Sequence, residues 1–331
     1  MRNPKEHHRG FLRVTMASAT VLMLSLSSLR AEWIEPAFAP PIGSRWIVEE
    51  ASDSLAKPPE GGEVTKATRV TGEVVFKEKL ADGYRLSYVI KDMVVEGSAP
   101  SVAVLAPALT SMKNIVVEGM VDARGKPVRI DNLDEVNTQN RAVIEELAKK
   151  FEDRPQVAQF MRQIMADALV KTGQDAAVTN LTWLDLISVA HGTGLKPGEE
   201  RTADSAKPSP FGGEPLRSIT TLTLTAVDET TGNATYRLTE VFDPESTKAM
   251  IKLVAGRMID ATGTAAAGLN KSDVERMTSM LEIEFHSDTI FKVEKGMVRS
   301  LESNTVNGIS AMGHSGREES RHRITIRPLI P

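Results

Sequence analysis

The feature that most constrains the fold of this chain is an internal repeat. Residues 56–64 read AKPPEGGEV and residues 206–216 read AKPSPFGGEPL, and each copy leads into a strand-like segment, a turn and a Tyr-Arg-Leu triplet. The second glycine of the pair precedes the tyrosine by 22 residues in the first copy and by 23 in the second. Two segments with such closely matched spacing rarely arise by chance, so the chain is predicted to contain two related halves.

Both halves are predicted to be built from antiparallel strands. Residues 122–129 and 293–299 each place a glycine in a polar turn between apolar segments, which is the pattern of a β-hairpin. Tyr84, Leu86 and Tyr88 alternate with polar residues, as expected of a strand with one buried face.

Helices are predicted between the halves and inside the second half. The strongest helical pattern begins at Pro155 and ends before Gly173, with apolar side chains at helical spacing. We therefore predict an α+β fold in which two related antiparallel β lobes lie on either side of a helical block. Strand patterns alone leave open whether the lobes stand as two sheets or join into a curved half-barrel.

The predicted segments begin with a secretory signal peptide. Basic residues precede a weakly apolar stretch at residues 14–29, and Leu29-Arg30-Ala31 forms a cleavage-site pattern. Ala37-Phe38-Ala39 is an alternative cleavage point, although Pro40 follows it. The stretch is shorter than the roughly 20 residues of a membrane span, so cleavage is favoured over an anchor. The mature protein is expected to be periplasmic or secreted, with no stable membrane span. The segments are the signal peptide at 1–31, a first β-rich repeat at 32–130, the helical block at 131–192, and a second β-rich repeat at 193–331 with a helical insertion at 246–279.

Composition excludes several classes of function. The chain has no cysteine, which rules out disulfides, thiolate metal ligands and a thiol nucleophile. Residues 1–31 carry five basic side chains and one acidic one, so their removal changes the net charge from −4 to −8. An acidic protein with few aromatic residues is poorly suited to bind nucleic acid.

The histidines outside the signal segment form no strong catalytic or metal-binding motif. No two of them have the four-residue spacing of a helical zinc site, so we predict no metal and no cofactor. The segment around His314 resembles part of a nucleophile elbow, but Arg317 stands where the motif requires glycine. His191-Gly192-Thr193-Gly194 could form an anion-binding turn, although a helix end followed by a loop also explains both glycines. We predict no catalytic residues, with a hydrolase that uses His191 or His314 as the alternative.

Methionine-bearing helices are the best candidate for a binding surface. Methionine adapts to irregular apolar partners, so these helices could cover a lipid or another apolar ligand, while core filling is the simpler explanation. An arginine-rich segment at residues 317–327 could bind an acidic group or form a solvated strand. The candidate ligand-binding residues are Phe160, Met161, Ile164, Met165 and Trp183.

The chain resembles bacterial lipoprotein-carrier and related envelope proteins, in which a half-barrel covered by helices shelters an apolar ligand. The likeness rests on the signal segment, glycine turns such as residues 122–127 and the methionine-bearing helices. It also resembles uncharacterised secreted bacterial proteins with repeated hairpins, over most of residues 41–331. The resemblance implies a non-catalytic exported envelope protein that binds an apolar ligand or a partner protein. A structural or scaffold role in the periplasm is the alternative.

Overall fold

The computed structural model describes most of the chain after the predicted signal segment, and residues 1–31 lie outside the described part. The described residues are 35–58, 62–99, 102–103, 106, 109–207, 209, 213–262, 271–311 and 314–329.

The dominant element is a sheet of eleven antiparallel strands. In chain order the strands are β1 (Arg45–Lys57), β2 (Val64–Lys79), β3 (Gly83–Glu96), β4 (Val116–Asp122), β5 (Pro127–Ile130), β6 (Glu200–Lys207), β7 (Leu216–Asp228), β8 (Asn233–Phe242), β9 (Glu282–Glu294), β10 (Met297–Ala311) and β11 (His314–Pro328).

The prediction of an α+β fold with two lobes flanking a helical block is wrong, because all eleven strands belong to one continuous sheet. Its order is β5-β4-β3-β2-β1-β11-β10-β9-β8-β7-β6. The last strand returns to the middle of the sheet and pairs with the first, with Trp46 opposite Pro328 and Lys57 opposite Arg317. We call this β1–β11 pairing the seam, and it joins what the sequence presented as two lobes.

The helices have short connections and pack on the sheet or on one another. They are α1 (Leu133–Lys149), α2 (Pro155–Leu169), α3 (Gly173–Asn180), α4 (Thr182–Ser188), α5 (Pro244–Thr262) and α6 (Lys271–Ser279). Helix α1 packs on α2, α3 packs on β5, and α5 contacts α2, α6, β7 and β9. Pro155 occupies the first turn of α2, where its missing N–H is no loss.

The two faces of the sheet differ in burial, because side chains alternate along a strand. We call the face that carries Trp46 and Val48 of β1 the inner face, and the opposite face the outer face. Trp46, Val48, Ile324 and Ile326 are all buried, whereas the intervening Thr325 is exposed. The main core lies between this inner face and the segment from α3 to α4, which contributes Ala176, Ala177, Leu181, Trp183, Leu184 and Ile187.

The repeated sequence segments occupy corresponding places in the sheet. Tyr84 lies near the start of β3 and Tyr236 near the start of β8. The two glycine turns connect β4 to β5 at Gly125 and β9 to β10 at Gly296. Across the sheet, the five strands β1 to β5 are therefore arranged in the same order as the five strands β6 to β10. Strand β11 lies between the two sets.

Candidate functional site

A short extended segment before β1, residues 35–40, contacts parts of both sets of strands, and we call it the strap. Its Phe38 ring is 4% exposed. The ring meets three others edge-on, with centroid distances of 5.9 Å to Phe76, 5.5 Å to Tyr84 and 5.3 Å to His191. Aromatic rings prefer this arrangement, because the positive edge of one ring faces the negative face of another. Phe38 thus anchors the strap in the main core.

The second anchor of the strap is the Glu35 carboxylate, which is bound by the loop that follows α4. The backbone N–H groups of Thr193 and Gly194 donate to it at 3.2 and 2.8 Å, and the Thr193 hydroxyl donates at 3.2 Å. The Tyr236 hydroxyl donates at 3.4 Å. Burial and the nearby Glu35 charge raise the pKa of Tyr236 to about 12, so this hydroxyl keeps its proton.

The loop that holds Glu35 is the His191-Gly192-Thr193-Gly194 turn. Gly192 and Gly194 have φ of +62° and +63°, in the left-handed region that favours glycine. This conformation points consecutive N–H groups toward one carboxylate, as in other anion-binding turns. Of the two explanations that the sequence allowed, the turn therefore serves as an anion site, and its occupant is a side chain of the same protein.

The repeated residues of the chain converge on the strap. The Tyr84 hydroxyl donates to the Phe38 carbonyl oxygen at 3.2 Å, while its counterpart Tyr236 binds Glu35. A Cβ placed on Gly125 would lie 3.1 Å from the Phe38 ring, and one placed on Gly296 would lie 2.2 Å from the Ala37 carbonyl oxygen. The tyrosine and the glycine turn of each half thus meet the same segment.

His191 lies beside both anchors of the strap and is 1% exposed. Neither ring nitrogen has a hydrogen-bond partner among the described residues. Its carbonyl oxygen accepts a hydrogen bond from Arg124 Nε at 2.8 Å. Burial lowers the pKa of His191 to about 4, the Glu35 charge opposes this effect, and Arg124 adds to it.

We expect His191 to make the fold less stable in acid. Its pKa in the folded protein is below the roughly 6.5 of an unfolded chain, so the unfolded state binds more protons between those values. The contribution of the neutral His191 to stability is complete above pH 6.5 and is lost as the pH falls toward 4. At pH 5 the free energy of unfolding should be about 2 kcal/mol lower than at neutral pH for this reason. Urea unfolding at pH 7.5 and pH 5 measures this difference. The His191→Leu variant should lose that part of the pH dependence, and an unchanged difference would contradict the assignment.

No structural role was predicted for Glu35 or Phe38, which follow the signal segment closely, and Phe38 entered only as part of the alternative cleavage point Ala37-Phe38-Ala39. Their contacts join residues far apart in the chain, and Thr193 is 158 positions from Glu35. The available signal was a proline-rich segment, EPAFAPP, that contains one acidic and one aromatic residue. A binding turn and a segment able to fill it were both visible, but nothing in the sequence connected them.

The predicted ligand-binding residues fall into separate parts of the structure. Met161 and Met165 of α2 pack with Val143 and Leu147 of α1, apart from the main core. Trp183 lies in the main core, with its ring 5.6 Å from that of Tyr88. The side chains of Phe160 and Ile164 lie outside the described part of the structure, so their predicted role remains untested.

The inner face is apolar at the Trp46 end and polar toward the other end of the strands. A row of polar residues crosses four neighbouring strands, each residue opposite the next: Ser52, His322, Ser303 and Thr289. The Thr289 hydroxyl donates to the Ser303 oxygen at 2.8 Å, and His322 Nε2 lies 2.7 Å from Glu50 Oε1. This row interrupts the apolar surface that a wholly apolar ligand would need on the inner face.

A groove of about 780 Å³ crosses the seam at the polar end of the strands. Leu55, Glu319 and Val306 lie opposite one another on neighbouring strands, on the outer face by alternation from Trp46. Most of the lining side chains lie on this face. The groove is lined by Asp53, Ser54, Leu55, Thr65, Lys66, Ala67, Glu96, Gly97, Asn304, Thr305, Val306, Glu319, Ser320 and Arg321.

The charges on the groove side of the sheet are mostly negative. The outer-face lining carries the carboxylates of Asp53, Glu96 and Glu319, and its Arg321 pairs with Glu302. Lys66 lies opposite Ser54, so alternation places its side chain on the inner face, away from Leu55 and Val306. The groove therefore combines apolar contacts with acidic groups.

The arginine-rich segment at residues 317–327 is part of β11, and its arginines pair with carboxylates. Arg323 and Arg327 contact Asp53 and Glu49 of β1 at 3.1 and 2.8 Å. Arg69 and Arg323 lower the pKa of the Asp53 carboxyl, mainly through the hydrogen bond from Arg69. These pairs connect strands on the outer face, so the arginines already have acidic partners within the sheet.

The described residues contain neither a metal-ligand cluster nor a membrane-spanning helix. No group of three or more histidine, aspartate or glutamate side chains in this part is placed to hold a metal ion. None of its helices has the length and apolar character that a membrane span requires. His191 and His314 lie in different elements, the loop after α4 and the first position of β11.

Comparisons with known proteins give no family. No protein-family model and no curated protein matches the chain. Among solved structures, the lipid-binding protein lipovitellin aligns over 88% of this chain and 26% of its own, at 9% identity and a TM-score of 0.42. DynF, from the dynemicin biosynthesis pathway of Micromonospora chersina, aligns over 89% of this chain and 85% of its own, at 8% identity and a TM-score of 0.22. An outer membrane channel of Pseudomonas putida F1 aligns over 87% of this chain and 97% of its own, at 7% identity and a TM-score of 0.18.

This chain therefore spans about a quarter of the lipovitellin chain that it matches. TM-scores this low assign neither the fold nor the function of the protein, and the functional argument rests on its own residues.

Proposed function

We propose that this protein is a non-catalytic binding protein that holds an apolar ligand in the groove across the seam. The observation that supports this most directly is the combination of size and lining. A volume of about 780 Å³ is within the range of sites for small ligands. Leu55, Ala67 and Val306 offer apolar contact, and the acidic lining disfavours an anionic head group. A fatty alcohol or a similar neutral amphiphile has this chemistry.

The proposed place of action is the periplasm or the exterior of the cell. Residues 1–31 support export, because a basic leader precedes an apolar stretch and a cleavage-site pattern. The non-catalytic role is part of this proposal. Nucleophilic hydrolysis would require a serine hydroxyl that is hydrogen-bonded to a histidine ring, and neither ring nitrogen of His191 has a hydrogen-bond partner among the described residues. The His314 side chain lies outside those residues.

The role of the groove in ligand binding is tested with a substitution that fills it with a larger side chain. We expect Val306→Trp to weaken binding of a C18 alcohol about tenfold or more, because the larger ring takes the place of the alkyl chain in the groove. Isothermal titration with the purified protein measures the affinity. Val241→Trp is the matched control, since Val241 is also on the outer face and 57% exposed but does not line the groove.

The charge preference of the groove is tested separately with Glu96→Gln, which removes one of the lining carboxylates. We expect this variant to strengthen binding of the C18 fatty acid about threefold and to leave binding of the C18 alcohol unchanged, the size of effect expected of one exposed charge. Absence of binding of either molecule to the wild type, with native mass spectrometry detecting no co-purified apolar species, would overturn the proposal. That result would favour the scaffold role.

A further inference from the structure

The strap is held in the way that a bound peptide is held. Among the described residues, no backbone–backbone hydrogen bond involves residues 35–40. The anchors are the Glu35 carboxylate, the Phe38 ring and the Phe38 carbonyl oxygen. Proline-containing segments that lack such backbone bonds are commonly recognised through side-chain pockets, and this one contains Pro36 and Pro40. Release of residues 35–40 themselves therefore breaks no backbone hydrogen bond of the sheet.

The groups that receive the strap all belong to other elements. Thr193 and Gly194 lie in the loop after α4, Tyr236 lies on β8, and Phe76 and Tyr84 lie on β2 and β3. We call these five residues the strap receptor. The same segment from another copy of the protein would meet the same donors and the same rings.

The connection between the strap and β1 is a single turn. Ser44 N donates to the Pro41 carbonyl oxygen at 3.1 Å, and Gly43 N donates to the Phe76 carbonyl oxygen of β2 at 2.8 Å. Gly43 has a φ of +76°, with no atom within 4 Å of the position that a Cβ would take. Glycine can change its backbone conformation with little steric restriction. Rotation in this turn would break the bond from Gly43 to Phe76 and carry the strap away from its own receptor without moving β1.

We infer that two copies of the protein exchange straps, so that Glu35 and Phe38 of each copy fill the receptor of the other. A closed exchange restores both sets of strap contacts, and apart from the bond from Gly43 to Phe76 the dimer loses only the freedom of two separate molecules. A foreign peptide, in contrast, would leave one strap without its receptor. It would also compete with a tethered segment at an effective concentration of about 1 mM. The second copy is therefore the favoured occupant.

Native mass spectrometry of mixed samples tests the exchange. Isotope-labelled and unlabelled wild-type protein are combined at about 1 mM, held in urea just below the unfolding transition, and returned to buffer. We expect dimers of mixed mass, and about a tenfold lower dimer fraction for Glu35→Ala/Phe38→Ala, because both anchors are removed. A wild type that stays monomeric, or a double variant that dimerises equally, would overturn the inference.

A cross-link identifies which copy supplies the strap, and it keeps both anchors intact. The chain has no cysteine, so Ala37→Cys with Lys295→Cys creates one defined pair beside the contact between Ala37 and Gly296. The isolated dimer is treated with a short bismaleimide and run on a denaturing gel. Strap exchange predicts a covalent dimer, whereas the monomer fraction should give an internal link. A dimer that yields only internally linked monomers excludes exchange.

Discussion

Replacing Phe38 with alanine is expected to lower the free energy of unfolding by about 3–5 kcal/mol. Phe38 is nearly fully buried and meets Phe76, Tyr84 and His191 edge-on, so its removal leaves a cavity lined by three rings. The loss also weakens the strap, because Phe38 is the apolar anchor of a segment without backbone hydrogen bonds to the sheet. Urea unfolding followed by circular dichroism measures the change.

Ile42→Ala is the matched control for this variant. Ile42 lies four positions further along and is 49% exposed, so its truncation should change stability by no more than about 0.5 kcal/mol. A loss below about 1 kcal/mol for Phe38→Ala would mean that the strap does not unfold together with the sheet. Its contacts with both sets of strands would then contribute little to the stability of the fold.

The hairpins could be predicted because their determinants are local. Tyr84, Leu86 and Tyr88 alternate with polar residues, and these three side chains are buried in the structure. The glycine of the second turn, Gly296, has a φ of +74°. Alternation and turn chemistry act over a few residues, so the sequence displays them directly.

The single sheet could not be predicted, because the seam depends on pairing between the two ends of the chain. The side chains of Glu50 and His322 meet across it at 2.7 Å, although the two residues are 272 positions apart. Backbone hydrogen bonds between such strands leave no pattern in the residues themselves. The only related signal was the set of arginines at 317–327, whose partners Glu49 and Asp53 are on β1. Without the structure, those charges had no assigned partners.

The candidate sites show the same division between local and long-range information. The glycines of residues 191–194 predicted that a turn could bind an anion, because left-handed glycines expose backbone N–H groups. The turn does bind a carboxylate, but the carboxylate is Glu35, 158 positions earlier than Thr193. The groove across the seam was equally invisible, since its floor is formed only when β1, β2, β10 and β11 lie side by side.

The Gly296→Ala substitution is expected to destabilise the protein by about 3 kcal/mol. Two effects combine at this position. The φ of +74° costs an alanine about 1–2 kcal/mol, and its Cβ would lie 2.2 Å from the Ala37 carbonyl oxygen, which is backbone and cannot rotate aside. The strap must therefore shift, and the Phe38 and Glu35 anchors shift with it. Thermal unfolding and hydrogen exchange at the Thr193 and Gly194 N–H groups, which donate to Glu35, measure the two consequences.

Gly198→Ala separates the two effects. Gly198 has a φ of +84° and no atom within 4 Å of the position that a Cβ would take, so it reports the backbone cost alone, about 1 kcal/mol. The difference between the two variants is then the contribution of the contact with the strap. Equal losses, with unchanged exchange at Thr193 and Gly194, would show that the β9–β10 turn does not hold the strap. The strap would then depend on Glu35 and Phe38 alone, and the repeated glycine turns would have only a hairpin role.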